Sequence, residues 1–125
     1  MKSIRYENGL KRLKEVDGVA GDRVIEALAD ICPDLGTYII EFGFGDVYSR
    51  PGLTLQQREL ATVAALTAIG TAEAQLKVHL AAALNVGLSR TEIIETIVQM
   101  SLYAGFPAAL NGLFAAKEVF AQHPQ

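Results

Sequence analysis

The chain has 125 residues, half of them hydrophobic and a fifth charged, with a formal net charge of −3. That length suits one domain, residues 1–125, with little more than a single layer of core. The acidic balance and the absence of a basic stripe exclude nucleic acid as an expected partner. No run reaches the roughly 18 consecutive apolar residues of a membrane span, and Met1-Lys-Ser-Ile-Arg-Tyr-Glu is too polar for a secretory signal, so a cytoplasmic protein is expected.

In chain order the apolar spacing reads as helix after helix. From about Ser3 to Val16, Ile4, Leu10, Leu13 and Val16 recur at intervals near three and four among basic residues, and Asp17-Gly18 ends the segment. From Asp22 to Ile31 the helical positions are Val24, Ile25, Leu28 and Ile31. The lone cysteine, Cys32, cannot close an internal disulfide, and beside Pro33 it is expected to be a small buried hydrophobe. Pro33 restarts a helix from about Asp34 to Val47 that carries Leu35, Tyr38, Ile39 and Phe42.

Pro51-Gly52 marks a loop, after which Thr54 and Gln57 match a capping box opening a helix from Leu55 to Ile69. Gly70 stops it, and Thr71 is expected to cap a helix that runs to Asn85 or Val86 before Gly87. A connection of about two residues makes these two helices an antiparallel pair. Ser89 with Glu92 forms a second capping box, opening a helix with Ile93, Ile94, Ile97, Val98 and Leu102 that Gly105 ends. Pro107 begins a last helix to about Ala121, with Gln122-His-Pro-Gln expected to fray. No window alternates polar and apolar residues for long enough to form a strand. The fold class is therefore all-α, about six helices around the central pair Leu55–Ile69 and Thr71–Val86. With no tryptophan and many alanines each helix buries little area, so leftover apolar faces point to a homo-oligomer.

Two ionisable residues stand out in the central pair. His79 lies at the edge of its helix's apolar face, where an imidazole can move protons near neutral pH or simply tie the helix to a neighbouring carbonyl. Glu59 lies in the first turn of the preceding helix, a position favoured by the helix dipole with no function attached. An antiparallel partner brings its later turns beside those early turns, so Glu59 is expected within hydrogen-bond reach of His79. A carboxylate there fixes the imidazole tautomer and raises its basicity. Arg50 and Arg58 offer planar forks for carboxylates, or serve as surface salt bridges. Glu41, Asp46, Tyr48 and Tyr103 are weaker candidates. Metal-ligand spacing and a glycine-rich nucleotide cradle are not evident, so neither metal nor cofactor is expected.

Four segments, Phe44-Gly-Asp-Val-Tyr-Ser-Arg-Pro-Gly-Leu53, Gln57-Arg-Glu-Leu-Ala-Thr-Val-Ala-Ala-Leu66, His79 with Ala82-Ala-Leu-Asn85, and Tyr103-Ala-Gly-Phe-Pro-Ala-Ala109, together resemble the carboxymuconolactone decarboxylase family within the alkylhydroperoxidase D-like superfamily. The resemblance implies an alkylhydroperoxidase D-like fold, a homo-oligomer that is commonly a hexamer, and a cofactor-independent lyase of aromatic-compound catabolism acting on a small anionic substrate. It makes His79 the proton-transfer group with Glu59 as its relay, and Arg50, Arg58, Tyr48, Glu41 and Tyr103 substrate-binding residues. Where the peroxidase branch of the superfamily carries Cys-x-x-Cys, this chain has Ala72 and Gln75, so thiol peroxidase chemistry is not expected. Typical decarboxylases read Arg-Ser where this chain has Arg58-Glu59, and carry an arginine where it has Ala81. These departures leave a non-catalytic ligand-binding oligomer and a related lactone hydrolase or isomerase as alternatives.

Overall fold

The computed structural model describes residues 2–124, and every regular element among them is helical. Seven α-helices and one π-helical segment follow in order: α1 (Ile4–Asp17), α2 (Val19–Leu28), α3 (Pro33–Tyr38) running into the π-helical segment (Ile39–Val47), α4 (Leu55–Ile69), α5 (Glu73–Asn85), α6 (Arg90–Ala104) and α7 (Phe106–Gln122). They divide into two compact units between Leu55 and Gln56. Four of the stops are glycines with positive φ, Gly18, Gly70, Gly87 and Gly105, the conformation that ends a helix at little cost when no Cβ is present.

In the first unit α1 packs on the π-helical segment. Ser3 caps α1 by accepting from the Tyr6 N–H at 3.0 Å. Gly9 makes the approach possible: a Cβ there would sit 1.9 Å from the Ile40 carbonyl oxygen, which is backbone and cannot move aside. The Arg5 guanidinium adds a bidentate pair to Asp46, at 2.7 and 3.1 Å. Leu13, Val16, Ile40 and Phe44 are buried here.

Several expectations for this unit are corrected. The stretch after Pro33 is not one α-helix: from Ile39 it widens to i→i+5 bonding, as in the Tyr48 N–H to Gly43 carbonyl bond of 2.9 Å. The wider turn rotates the face, so Ile40 and Phe44 are buried while Leu35, Tyr38 and Phe42 are exposed. Helix α2 starts at Val19 rather than Asp22, directly after the Gly18 break, and ends at Leu28 because a residue before proline avoids the helical region. That residue, Cys32, is extended (φ −158°, ψ 79°) and exposed, not buried. Ile31 and Ile4 are exposed as well.

The second unit gathers α5, α6 and α7 around a core of Leu76, Leu80, Ile93, Ile97 and Val119, joined by Val63 of α4. The buried face of α7 is built from small residues, Ala109, Gly112, Ala115 and Ala116, which let its neighbours approach closely. At Gly112 an added Cβ would meet Thr67 Cγ2 at 2.9 Å and Ile97 Cγ2 at 3.0 Å. The Ser89–Glu92 capping box is formed in both directions, at 3.0 and 2.9 Å. Thr71 does not cap α5: Ala72 occupies that position with no side-chain bond, and Glu73 opposite the helix dipole marks the first turn instead. The tail is held further than expected, since Arg90 Nη2 donates to the carbonyls of Phe120 and His123 at 3.0 and 2.9 Å.

Candidate active site

The antiparallel register of α4 and α5 is visible in two side-chain bonds. Gln56, at the start of α4, donates its amide to the Val86 carbonyl at the end of α5 at 2.8 Å. One turn further along α4, Glu59 meets His79, two turns back along α5. The stripe that α4 buries is Glu59, Val63 and Thr67, at intervals of four, so a carboxylate is turned inward at the point where the helices face each other.

His79 Nδ1 lies 2.9 Å from Glu59 Oε1 and 3.2 Å from Oε2. Glu59 is 0% exposed and the His79 side chain 20% exposed. An ionised carboxylate only accepts hydrogen bonds, so Nδ1–H is the donor and Nε2 is left to carry or surrender the exchangeable proton. Burial leaves Glu59 little water to solvate its charge, and a protonated His79 supplies the compensating one. The sequence expectation that these two side chains lie within hydrogen-bond reach is met.

Arg58 precedes Glu59 and is half-buried; its carbonyl accepts from the Thr62 hydroxyl at 2.9 Å. Tyr103, 81% exposed near the end of α6, is open to solvent rather than buried with the pair. The other candidates belong to the first unit. Glu41 accepts from the Ser3 hydroxyl, Tyr48 stacks on Phe44 with centroids 4.9 Å apart, and Arg50 is exposed beyond the π-helical segment, its N–H donating to the Val47 carbonyl at 3.1 Å. Asp46 is engaged by Arg5, whose guanidinium holds that carboxyl below its ordinary range. Neither Gln56 nor the inward-facing Thr67 is among the sequence candidates. Their signal is positional: each is a multiple of three or four residues from Glu59 on the same helix.

Residues 33–118 match the model of the carboxymuconolactone decarboxylase family. The chain is 42% identical over 117 residues to 4-carboxymuconolactone decarboxylase of Acinetobacter baylyi, covering 93% of this chain and 87% of that protein. It is 30% identical over 117 residues to nitrosuccinic acid decarboxylase of Metarhizium robertsii, covering 90% and 79%. A 15.0 kDa protein of Paracoccus denitrificans, encoded between nqo9 and nqo10 and uncharacterised, is 35% identical over 102 residues, covering 81% and 76%.

Proposed function

Since the chain belongs to the carboxymuconolactone decarboxylase family, we propose that it is a cofactor-independent carboxy-lyase for a small carboxylated lactone or a related acid, with His79 as its proton donor. The observation that carries this is the Glu59–His79 bond, a buried carboxylate holding an imidazole that remains partly open. Two relatives on opposite sides of the comparison are named decarboxylases, one for a carboxylated lactone and one for a nitro-substituted acid, which supports the reaction type more than any one substrate.

The step is simple in its balance. The bond from the ring or chain carbon to the carboxylate breaks, carbon dioxide leaves, and the electron pair passes into the substrate's own carbonyl to give an enolate. The imidazolium then delivers its Nε2 proton to carbon and the carbonyl re-forms. Glu59 stays a carboxylate throughout, holding the ring in one tautomer and stabilising the imidazolium that precedes transfer. Arg58 binds a carboxylate of the substrate, as does Arg50, and Tyr48, Glu41 and Tyr103 complete the substrate-binding set that the family likeness assigns.

Carbon dioxide release from 4-carboxymuconolactone by the wild type, Glu59→Gln and Arg58→Met tests these roles. Glu59→Gln should lower kcat by about 10²–10³-fold, the loss of an oriented acid. Arg58→Met should act mainly by raising KM. Wild-type turnover with both variants unimpaired would remove the assigned roles. Binding of the lactone without turnover would favour the passive ligand-binding protein.

A further inference from the structure

The 21 residues 96–116 contain no Asp, Glu, Lys, Arg or His, although a fifth of the chain is charged and about four such residues would be expected there. They form the second half of α6, the turn at Gly105 and the first half of α7, the tip of a helical hairpin. An uncharged tip would be unremarkable if it were buried, but it is not. On α6, Ile93 and Ile97 face the core, while Ile94, Val98 and Leu102 form a second, exposed row at intervals of four. Helix α7 repeats the pattern with Phe106, Leu110 and Phe114, also at intervals of four and also exposed. Ile94 of α6 and Leu113 and Lys117 of α7 line one groove of about 370 Å³, so the two rows border the same side of the hairpin.

Leu102 is 73% exposed, Tyr103 81%, Phe106 73% and Phe114 60%. Aromatic side chains offer roughly 150–250 Å² each. The three aromatics therefore leave on the order of 300–500 Å² of mostly apolar surface in water. That already equals the roughly 300–600 Å² of the largest patch on an ordinary monomer. With Ile94, Val98, Leu102 and Leu110 the face approaches the roughly 800 Å² per partner of a stable interface.

We propose that this face, the apolar side of the α6–α7 hairpin tip, is where a second copy of the chain docks, the two hairpins packing against each other about a two-fold axis. Charge favours a second copy over a bilayer. A helix lying in a membrane interface needs Lys or Arg on its polar side, and positions 91–116 have none. Two molecules of charge −3 repel each other elsewhere, whereas here each presents its longest stretch without charge. A self-complementary contact needs only that the same patch be apolar on both partners, and the groove between the two rows gives the protruding Phe106 and Phe114 of the other copy somewhere to seat.

Sedimentation velocity of the full chain over a range of concentrations tests this. The wild type should sediment as a species of two or more copies. The double substitution Leu102→Glu and Phe106→Glu should weaken association by more than about a hundred-fold, because unpaired carboxylates would have to be buried, and should return the protein to 13.4 kDa with its helical circular dichroism intact. A wild type at 13.4 kDa throughout, or a variant that still assembles, overturns the proposal. A wild-type monomer that pellets with phosphatidylserine vesicles overturns it in favour of a bilayer. Should the double variant misfold, Tyr103→Cys in a Cys32→Ser background serves instead. Its maleimide labelling should slow as protein concentration rises, while that of Gln122→Cys in the same background should not. Equal behaviour of the two would contradict the face assigned.

Discussion

His79 and Glu59 show how a fixed distance and a difference in exposure turn two ordinary residues into one device. Their meeting was legible in the sequence, because a two-residue connection between helices of known length sets which turns lie side by side. The complete burial of Glu59 was not, since a first-turn glutamate ordinarily faces water and only the register held by Gln56 and Val86 turns it inward. The same asymmetry governs stability. Glu59→Leu should leave His79 without its anion but create no buried charge, whereas His79→Leu strands a buried carboxylate and should cost about 3–5 kcal/mol. Urea unfolding of both variants would check this order, and equal losses would speak against an ionised Glu59. His79→Gln keeps a donor toward Glu59 and should stay folded. Gly112→Ala should destabilise by about 1–3 kcal/mol in the same assay, since its methyl would overlap Thr67 and Ile97. Cys32 was misjudged at this scale because apolar neighbours in sequence say little about a residue whose backbone is forced outward by the proline after it.

Elements were read better than their faces. The capping boxes, glycine stops and prolines are local chemistry, so Ser89–Glu92, Gly70, Gly87 and Gly105 punctuate the chain where the sequence puts them. Ser89→Ala should lower thermal stability by about 1 kcal/mol through the lost cap, and Ser89→Asp should retain most of it. The π-helical segment was invisible, because its widening depends on the close contact of Gly9 with the Ile40 backbone, a meeting of residues 31 apart in sequence. The Arg5–Asp46 pair that reinforces this packing has a definite pH signature. Asp46 titrates below its ordinary 3.8 because Arg5 bonds it. Its contribution is therefore full above 3.8 and is lost as pH falls through the lowered value. Asp46→Asn should flatten the acid limb of a thermal-melting profile in that window and leave neutral pH nearly unchanged. The pair is solvent-exposed, so the effect should be small and should shrink in salt.

At the scale of the whole molecule, the all-helical class and the family follow from motifs that span most of the chain, and residues 33–118 match that family as a block. What the sequence withheld is which apolar residues the fold would leave outside. Ile93 and Ile94 look alike in a periodicity, yet one closes the core and the other stands in an exposed row, a choice made only when α7 packs on one side of α6. The chemistry turns on a question no pattern answers, whether the imidazole held by Glu59 delivers a proton to carbon. The most direct measurement is carbon dioxide release from 4-carboxymuconolactone in deuterium oxide by the wild type and by His79→Gln. The expected result is wild-type turnover with one deuterium incorporated at the carbon vacated by the carboxylate, and loss of at least about 10²-fold in kcat in the variant. Turnover in His79→Gln at the wild-type rate would contradict the role assigned to His79.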